Sequence, residues 1–203
     1  IFSSAKSFPI WNDGESYVMS ITAEAQTMFA NQNMLDAVGE GLPTTFDELL
    51  STGKKLKSGD VAGVAMRSKA DGTAGSWPGG GFVFSNGGVI IQDGKCMLDS
   101  PQAIEAIHYY GTILKEAGPL GVGNYHWYEC LNDYMQEVVG IGMDSSNFAT
   151  DIENPEKSNA AGHTTYGAMV SGPGKQAKPN MWHWMAGINS KSQQKAAAFL
   201  FLT

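Results

Sequence analysis

Carboxylates, histidines and thiols are the side chains that could break bonds in this chain, and their spacing argues against most such chemistry. Glu24, Glu129 and Asp144 could supply the two carboxylates that flank a glycosidic bond during hydrolysis, but spacing marks out no pair. Neither G-x-S-x-G nor H-E-x-x-H occurs, and His108, His126, His163 and His183 stand singly. Cys96 and Cys130 are the only cysteines and lack metal-ligand spacing. They read as two separate thiols, or as one bridge in an oxidising compartment. The glycines between Gly72 and Gly81 follow neither G-x-x-x-x-G-K-[ST] nor G-x-G-x-x-G, so no phosphate cradle is expected. The expectation is a chain without catalytic residues, metal or cofactor.

Side chains suited to binding are easier to place. Asp144 and Asn147 follow the apolar run Val138–Met143, at the carboxyl end of an expected strand, where open α/β sheets bind ligands. They serve there either as ligand contacts or as the N-cap of a following short helix. Trp182 and Trp184 share one face of a strand with His183 on the other, because strand side chains alternate. Trp77 falls in a loop expected over residues 67–81, with Gly72, Gly75, Gly79, Gly80 and Gly81 around it. Trp127, with Tyr125, Tyr128 and Tyr134, reads as packing for a helix over residues 127–137.

The elements that must position these residues can be read from capping and turn signals. Asp93-Gly94, between two apolar runs, calls for a type I′ hairpin, since both central residues must accept positive φ. Ser100 caps a helix opened by Pro101, and Ala103, Ala106, Ile107, Tyr110, Ile113, Leu114 and Ala117 fall on its buried face. Gly118-Pro119 ends it. Thr45 and Glu48 form a capping box, and Ser190 with Gln193 suggests a second one for a helix through Leu202. Strands are expected over residues 17–21 and 26–31, with a break at Thr22, Ala23 and Glu24. Further strands are expected over 61–66, 138–143, 166–170 and 181–189. Strands alternating with helices at this spacing give an α/β sheet with helices on its faces.

Composition sets outer bounds. The chain has 203 residues, 42% hydrophobic and 16% charged, enough for one domain with a sizeable core or for one lobe and part of another. Lys plus Arg total 13 against 20 for Asp plus Glu, a formal charge of −7, so nucleic acid is not an expected partner. No apolar run reaches the ~20 residues that span a bilayer, and the first residues lack the charged-then-apolar order of a signal peptide. The chain does not begin with Met, as expected of a processed or truncated chain.

Several motifs in order carry a resemblance. Asn86-Gly87-Gly88, the Asp93-Gly94-Lys95 hairpin, Leu98-Asp99-Ser100-Pro101, Ala103-Ile104-Glu105-Ala106 and Glu116-Ala117-Gly118-Pro119 resemble the sugar-binding proteins that serve ABC importers. Pro43-Thr44-Thr45-Phe46-Asp47-Glu48-Leu49 is similar to that family's P-x-T-[WF]-D-E-L, and Gly187-Ile188-Asn189-Ser190-Lys191 to its G-I-x-x-S-K. Tyr17 and Glu24-Ala25 match too, although Ser20 and Ala30 replace the usual Pro and Tyr, and Glu137-Val138-Val139 departs from the usual G-K. The match covers nearly all of this chain but only the middle of a full family member.

The resemblance implies an α/β, periplasmic-binding-protein-like fold: mainly the second lobe over residues 24–170, with residues 1–23 and 171–203 as crossing segments and part of the first lobe. It implies a carbohydrate or polyol ligand held in an interlobe cleft and delivered to a membrane permease by a monomer outside the cytoplasmic membrane, periplasmic or extracellular. Sugars offer apolar CH faces and rings of hydroxyls, which aromatics and carboxylates or amides can hold. On that basis Glu24, Trp77, Asp144, Asn147 and one of Trp182 and Trp184 are the expected site. The competing roles are a solvated loop carboxylate for Glu24 and core packing for the tryptophans. A carbohydrate-active hydrolase and a non-catalytic adhesion module are the alternative functions.

Overall fold

The computed structural model describes residues 13–202; Trp11 and most of the irregular stretch expected over residues 1–16 lie outside them. The chain divides into two compact units. One comprises the residues up to Glu24 together with those from Met181 onward, and the other is Ala25–Asn180.

In the larger unit, strands lie in the order β2 (Ala62–Ala65), β5 (Val139–Ser145), the part of β1 (Met19–Asn31) from Ala25 onward, and β6 (Thr164–Ala168). Strands β2 and β5 are parallel, while β1 is antiparallel to both β5 and β6. All residues of β2 and β5 are buried, which suits strands covered on both faces. Helices cover the sheet: α1 (Gln32–Val38), α2 (Phe46–Leu56), α3 (Gly80–Ser85), α4 (Pro101–Ala117), α5 (Trp127–Met135) and α6 (Ala149–Ile152). The main core joins Met28, Ile141 and Met143 of the sheet to Phe46, Leu49, Phe82, Ile113 and Leu114. Phe46 and Phe82 stack at 4.6 Å.

Local signals decide several of these elements. Thr45 accepts from the Glu48 amide while the Glu48 carboxylate takes the Thr44 and Thr45 amides, so the capping box that opens α2 is complete. Ser100 caps α4 with Pro101 in its first turn. Asp93 at φ 51° and Gly94 at φ 74° make the primed turn between β3 (Ile91–Gln92) and β4 (Lys95–Cys96). Ile107 alone departs from the expected buried stripe of α4, at 45% exposure. It lies at the edge of that stripe, about 60° around the helix axis from Tyr110.

Other expectations need correction. The break at Thr22, Ala23 and Glu24 does not exist, because β1 runs unbroken for 13 residues and β7 (Met181–Ala186) pairs with it. A ladder partner far along the chain satisfies backbone groups that local composition leaves open. The loop over residues 67–81 is half helical: Gly75–Gly79 forms a π-helical turn that passes into α3 without leaving αR backbone. Gly81 serves close packing, since a Cβ there would stand 1.9 Å from Gln26 Oε1, whereas Gly72 and Gly75 have open space around them. The last helix, α7, spans Lys195–Leu202 and so begins after the Ser190 and Gln193 pair expected to cap it. Its start is marked instead by Ser192, whose hydroxyl accepts from the Gln194 amide.

Candidate functional site

The smaller unit carries an aromatic surface. Pairing of β7 with β1 sets Trp182 and Trp184 on one side and His183 on the other, as strand alternation requires. Trp182 and Trp184 are 49% and 56% exposed, whereas His183 is buried and its Nδ1 lies 2.9 Å from the Ser20 hydroxyl. The two indoles meet edge to face, with centroids 6.2 Å apart and planes at 62°. Trp184 donates from Nε1 to the Glu24 carboxylate at 2.6 Å. Two apolar ring faces and an acceptor therefore share one exposed patch, which is the equipment that a hydroxylated carbon skeleton needs.

The larger unit gathers polar groups at the carboxyl ends of its parallel pair. Arg67 lies two residues past β2, and Asp144 near the end of β5. Arg67 donates from Nε to Asp144 Oδ2 at 2.7 Å and from Nη2 to Oδ1 at 2.6 Å. Asp144 Oδ1 also takes the Ser145 amide at 2.7 Å. The Asp144 side chain is 1% exposed and that of Arg67 15%. A buried carboxylate is tolerable only when its lone pairs are met, and here a planar fork and an amide meet them. The Tyr110 hydroxyl donates to the Arg67 carbonyl, and burial keeps that phenol protonated far above its ordinary range.

Trp77 completes this arrangement from the π-helical turn. It is buried, at 6% exposure, with the Arg67 guanidinium carbon 5.9 Å from its ring centroid. Asn180 holds the turn by donating from Nδ2 to the carbonyls of Ser76 and Trp77. The Asn180 carbonyl also accepts from the Gln26 main-chain amide at 2.9 Å. The side-chain amide of Gln26 is buried at 2% exposure, and neither Oε1 nor Nε2 has a hydrogen-bond partner among the described residues.

The structure thus brings Glu24, Trp182 and Trp184 together, and it joins Asp144 to Trp77 through Arg67. Asn147 is exposed in the short 3-10 turn Ser146–Phe148, and the cap expected of Asp144 or Asn147 is made by Ser145, whose hydroxyl accepts from the Asn147 amide. Trp127 is 38% exposed, edge to face with Tyr128 and His126, so its packing role is partial. Sequence reasoning missed Arg67 and Gln26. An Arg before Ser68-Lys69 reads as a solvated strand end, and a Gln within Ala25–Met28 as an outward strand residue. Both thiols are free, Cys96 exposed and Cys130 buried, and burial pushes the Cys130 thiol up. Among the described residues no group of three His, Cys, Asp or Glu could hold a metal, and no helix is long and apolar enough to cross a membrane.

Comparison with known proteins gives one consistent answer. The family model for bacterial extracellular solute-binding proteins matches residues 3–203. The erythritol/L-threitol-binding protein of Mycolicibacterium smegmatis is 24% identical over 172 residues, covering 79% of this chain and 35% of that protein. The solute-binding protein of an ABC transporter from Agrobacterium radiobacter K84, solved with ribitol, superposes with a TM-score of 0.88 at 24% identity, covering 100% of this chain and 52% of that one. Its counterpart from Agrobacterium vitis S4, solved with D-mannitol, gives 0.85 at 22% identity, covering 95% and 47%. The fold is that of the periplasmic binding proteins, and the chain spans about a third to a half of the length of these relatives. The family is one of solute-binding proteins, and both solved neighbours are solute-binding proteins of ABC transporters.

Proposed function

The chain belongs to the bacterial extracellular solute-binding proteins, and from that premise we propose that it is part of a receptor for a carbohydrate or polyol. The exposed Trp182 and Trp184 pair beside the Glu24 carboxylate carries this reading. Exposed indoles cost hydration and add nothing to the core, whereas they stack well on the CH face of a sugar or the carbon chain of a polyol. Relatives solved with ribitol and D-mannitol, and one named for erythritol and L-threitol, support a ligand rich in hydroxyls. Glu24, Trp182 and Trp184 are the direct contacts; Asn147 offers an exposed amide, and Trp77 and Asp144 act in the larger unit.

The receptor works as a monomer outside the cytoplasmic membrane, periplasmic or extracellular, and delivers its ligand to the membrane permease of an ABC importer. A charge of −7 suits neither nucleic acid nor an acidic surface as a partner. No bond of the ligand is made or broken. The test is a fluorescence and thermal-shift screen of the purified protein against polyols, monosaccharides and oligosaccharides, with product analysis of each mixture. Saturable change without products is the expected result. Turnover of any glycoside would overturn the reading in favour of a hydrolase.

A further inference from the structure

We infer that Arg67 reads the ligand in the larger unit, donating from the outer edge of its guanidinium to two oxygens of a neutral vicinal diol. The inference rests on the solute-binding reading above and adds to it the chemical feature recognised. A guanidinium carries five N–H donors in a fixed plane. Asp144 occupies the inner edge, through Nε and Nη2. Among the described residues Nη1 makes no hydrogen bond, and it is not among the fully buried side-chain atoms that lack partners. What remains is the outer edge, where Nη1 and Nη2 each direct one N–H the same way. Two oxygens on adjacent carbons match that spacing.

The fork is set before a ligand arrives. A bidentate carboxylate holds it in plane, the Trp77 ring lies against it, and the Tyr110 hydroxyl fixes the Arg67 main chain. Little side-chain freedom is left to lose on binding, which favours affinity. Trp77 and Asp144 are then positioning residues that act through Arg67. Charge decides between diol and anion. A carboxylate at 2.6 Å neutralises the guanidinium, and the protein as a whole is acidic, so a sugar acid finds no net positive charge here. The location agrees: Arg67 and Asp144 stand at the carboxyl ends of the parallel strands β2 and β5.

The test is calorimetry with ribitol, D-mannitol, maltose and D-gluconate on the parent protein and four variants. Arg67→Met removes the fork and Arg67→Lys keeps only the charge; both should weaken the neutral probes by about tenfold or more. Because Arg67→Met strands a buried carboxylate, the paired variant Arg67→Met with Asp144→Leu removes both charges and should melt closer to the parent. It should still bind the neutral probes poorly. Asp144→Asn unmasks the guanidinium charge and should shift preference toward D-gluconate, a change that loss of structure alone would not produce. Parent-like affinity for the neutral probes in the paired variant would overturn the inference. So would a parent that prefers D-gluconate to D-mannitol. A parent that binds none of the probes would overturn the carbohydrate-or-polyol reading itself, and that result appears before any variant is made.

Discussion

The Trp184 indole N–H donates to the Glu24 carboxylate at 2.6 Å, so an acceptor and an exposed ring are held in fixed register on neighbouring strands. The bond lies in the ring plane and so covers neither indole face of Trp184 itself.

Trp182→Ala and Trp184→Ala should each weaken ligand binding, by about fivefold if one stacking contact is worth ~1 kcal/mol. Both rings are about half exposed, so thermal melting of the ligand-free protein should move little. Titration by calorimetry and a melting curve on each variant check this. A large fall in melting temperature with unchanged affinity would make the pair structural.

Trp77→Ala should differ in its effect on the ligand-free protein, costing ~3–5 kcal/mol of stability as expected for a buried aromatic. Its burial at 6% exposure replaces the exposed loop position expected from the surrounding glycines. Urea denaturation gives the figure directly. A loss under about 1 kcal/mol would show that the ring contributes little to the core.

Glu48 gives a pH dependence with a definite sign. Donation from the Thr44 amide first, then from the Thr44 hydroxyl and Thr45, holds its carboxyl below the usual range. A depressed folded pKa stabilises fully above the unfolded value, about 4.3, and is lost as pH falls through the folded value. Glu48→Gln should therefore melt below the parent at neutral pH, and the gap should close in acid. A gap that stays constant down the acid limb would mean the carboxylate is not what caps α2.

Gln26→Leu should raise the stability of the ligand-free protein by about 1–3 kcal/mol, because it removes a buried amide whose polar atoms have no partner. Gly81→Ala should lower it, since the new Cβ would lie 1.9 Å from Gln26 Oε1 and 2.8 Å from Met169 Sδ. In the double variant the Gly81→Ala penalty should change from its value alone, as expected for residues in contact. Strict additivity would show that the two do not touch.

Features set within four residues were legible in the sequence. Thr45 with Glu48, Ser100 with Pro101, and Asp93-Gly94 each satisfy or shape the backbone beside them, and each stands where expected. That Trp182 and Trp184 share one face was legible for the same reason, since alternation is a local rule, but alternation does not say that both are exposed. Features that depend on distant partners were not. Strand β1 continues through Thr22–Glu24 because β7 pairs with it, and Arg67 gains its role from an aspartate 77 positions away. Glycine density around Trp77 reads as looseness, but Gly79–Gly81 are buried in helical backbone, and at Gly81 a side chain would collide with Gln26.

The two free thiols differ in a way that makes the protein convenient to watch. Cys96 is exposed on a short hairpin strand, while Cys130 is buried with its thiol pushed up, so at neutral pH only the first should react with a maleimide dye. One equivalent of label should enter the folded protein and two the unfolded. The chain thus carries its own single attachment point for a reporter, without any engineered cysteine.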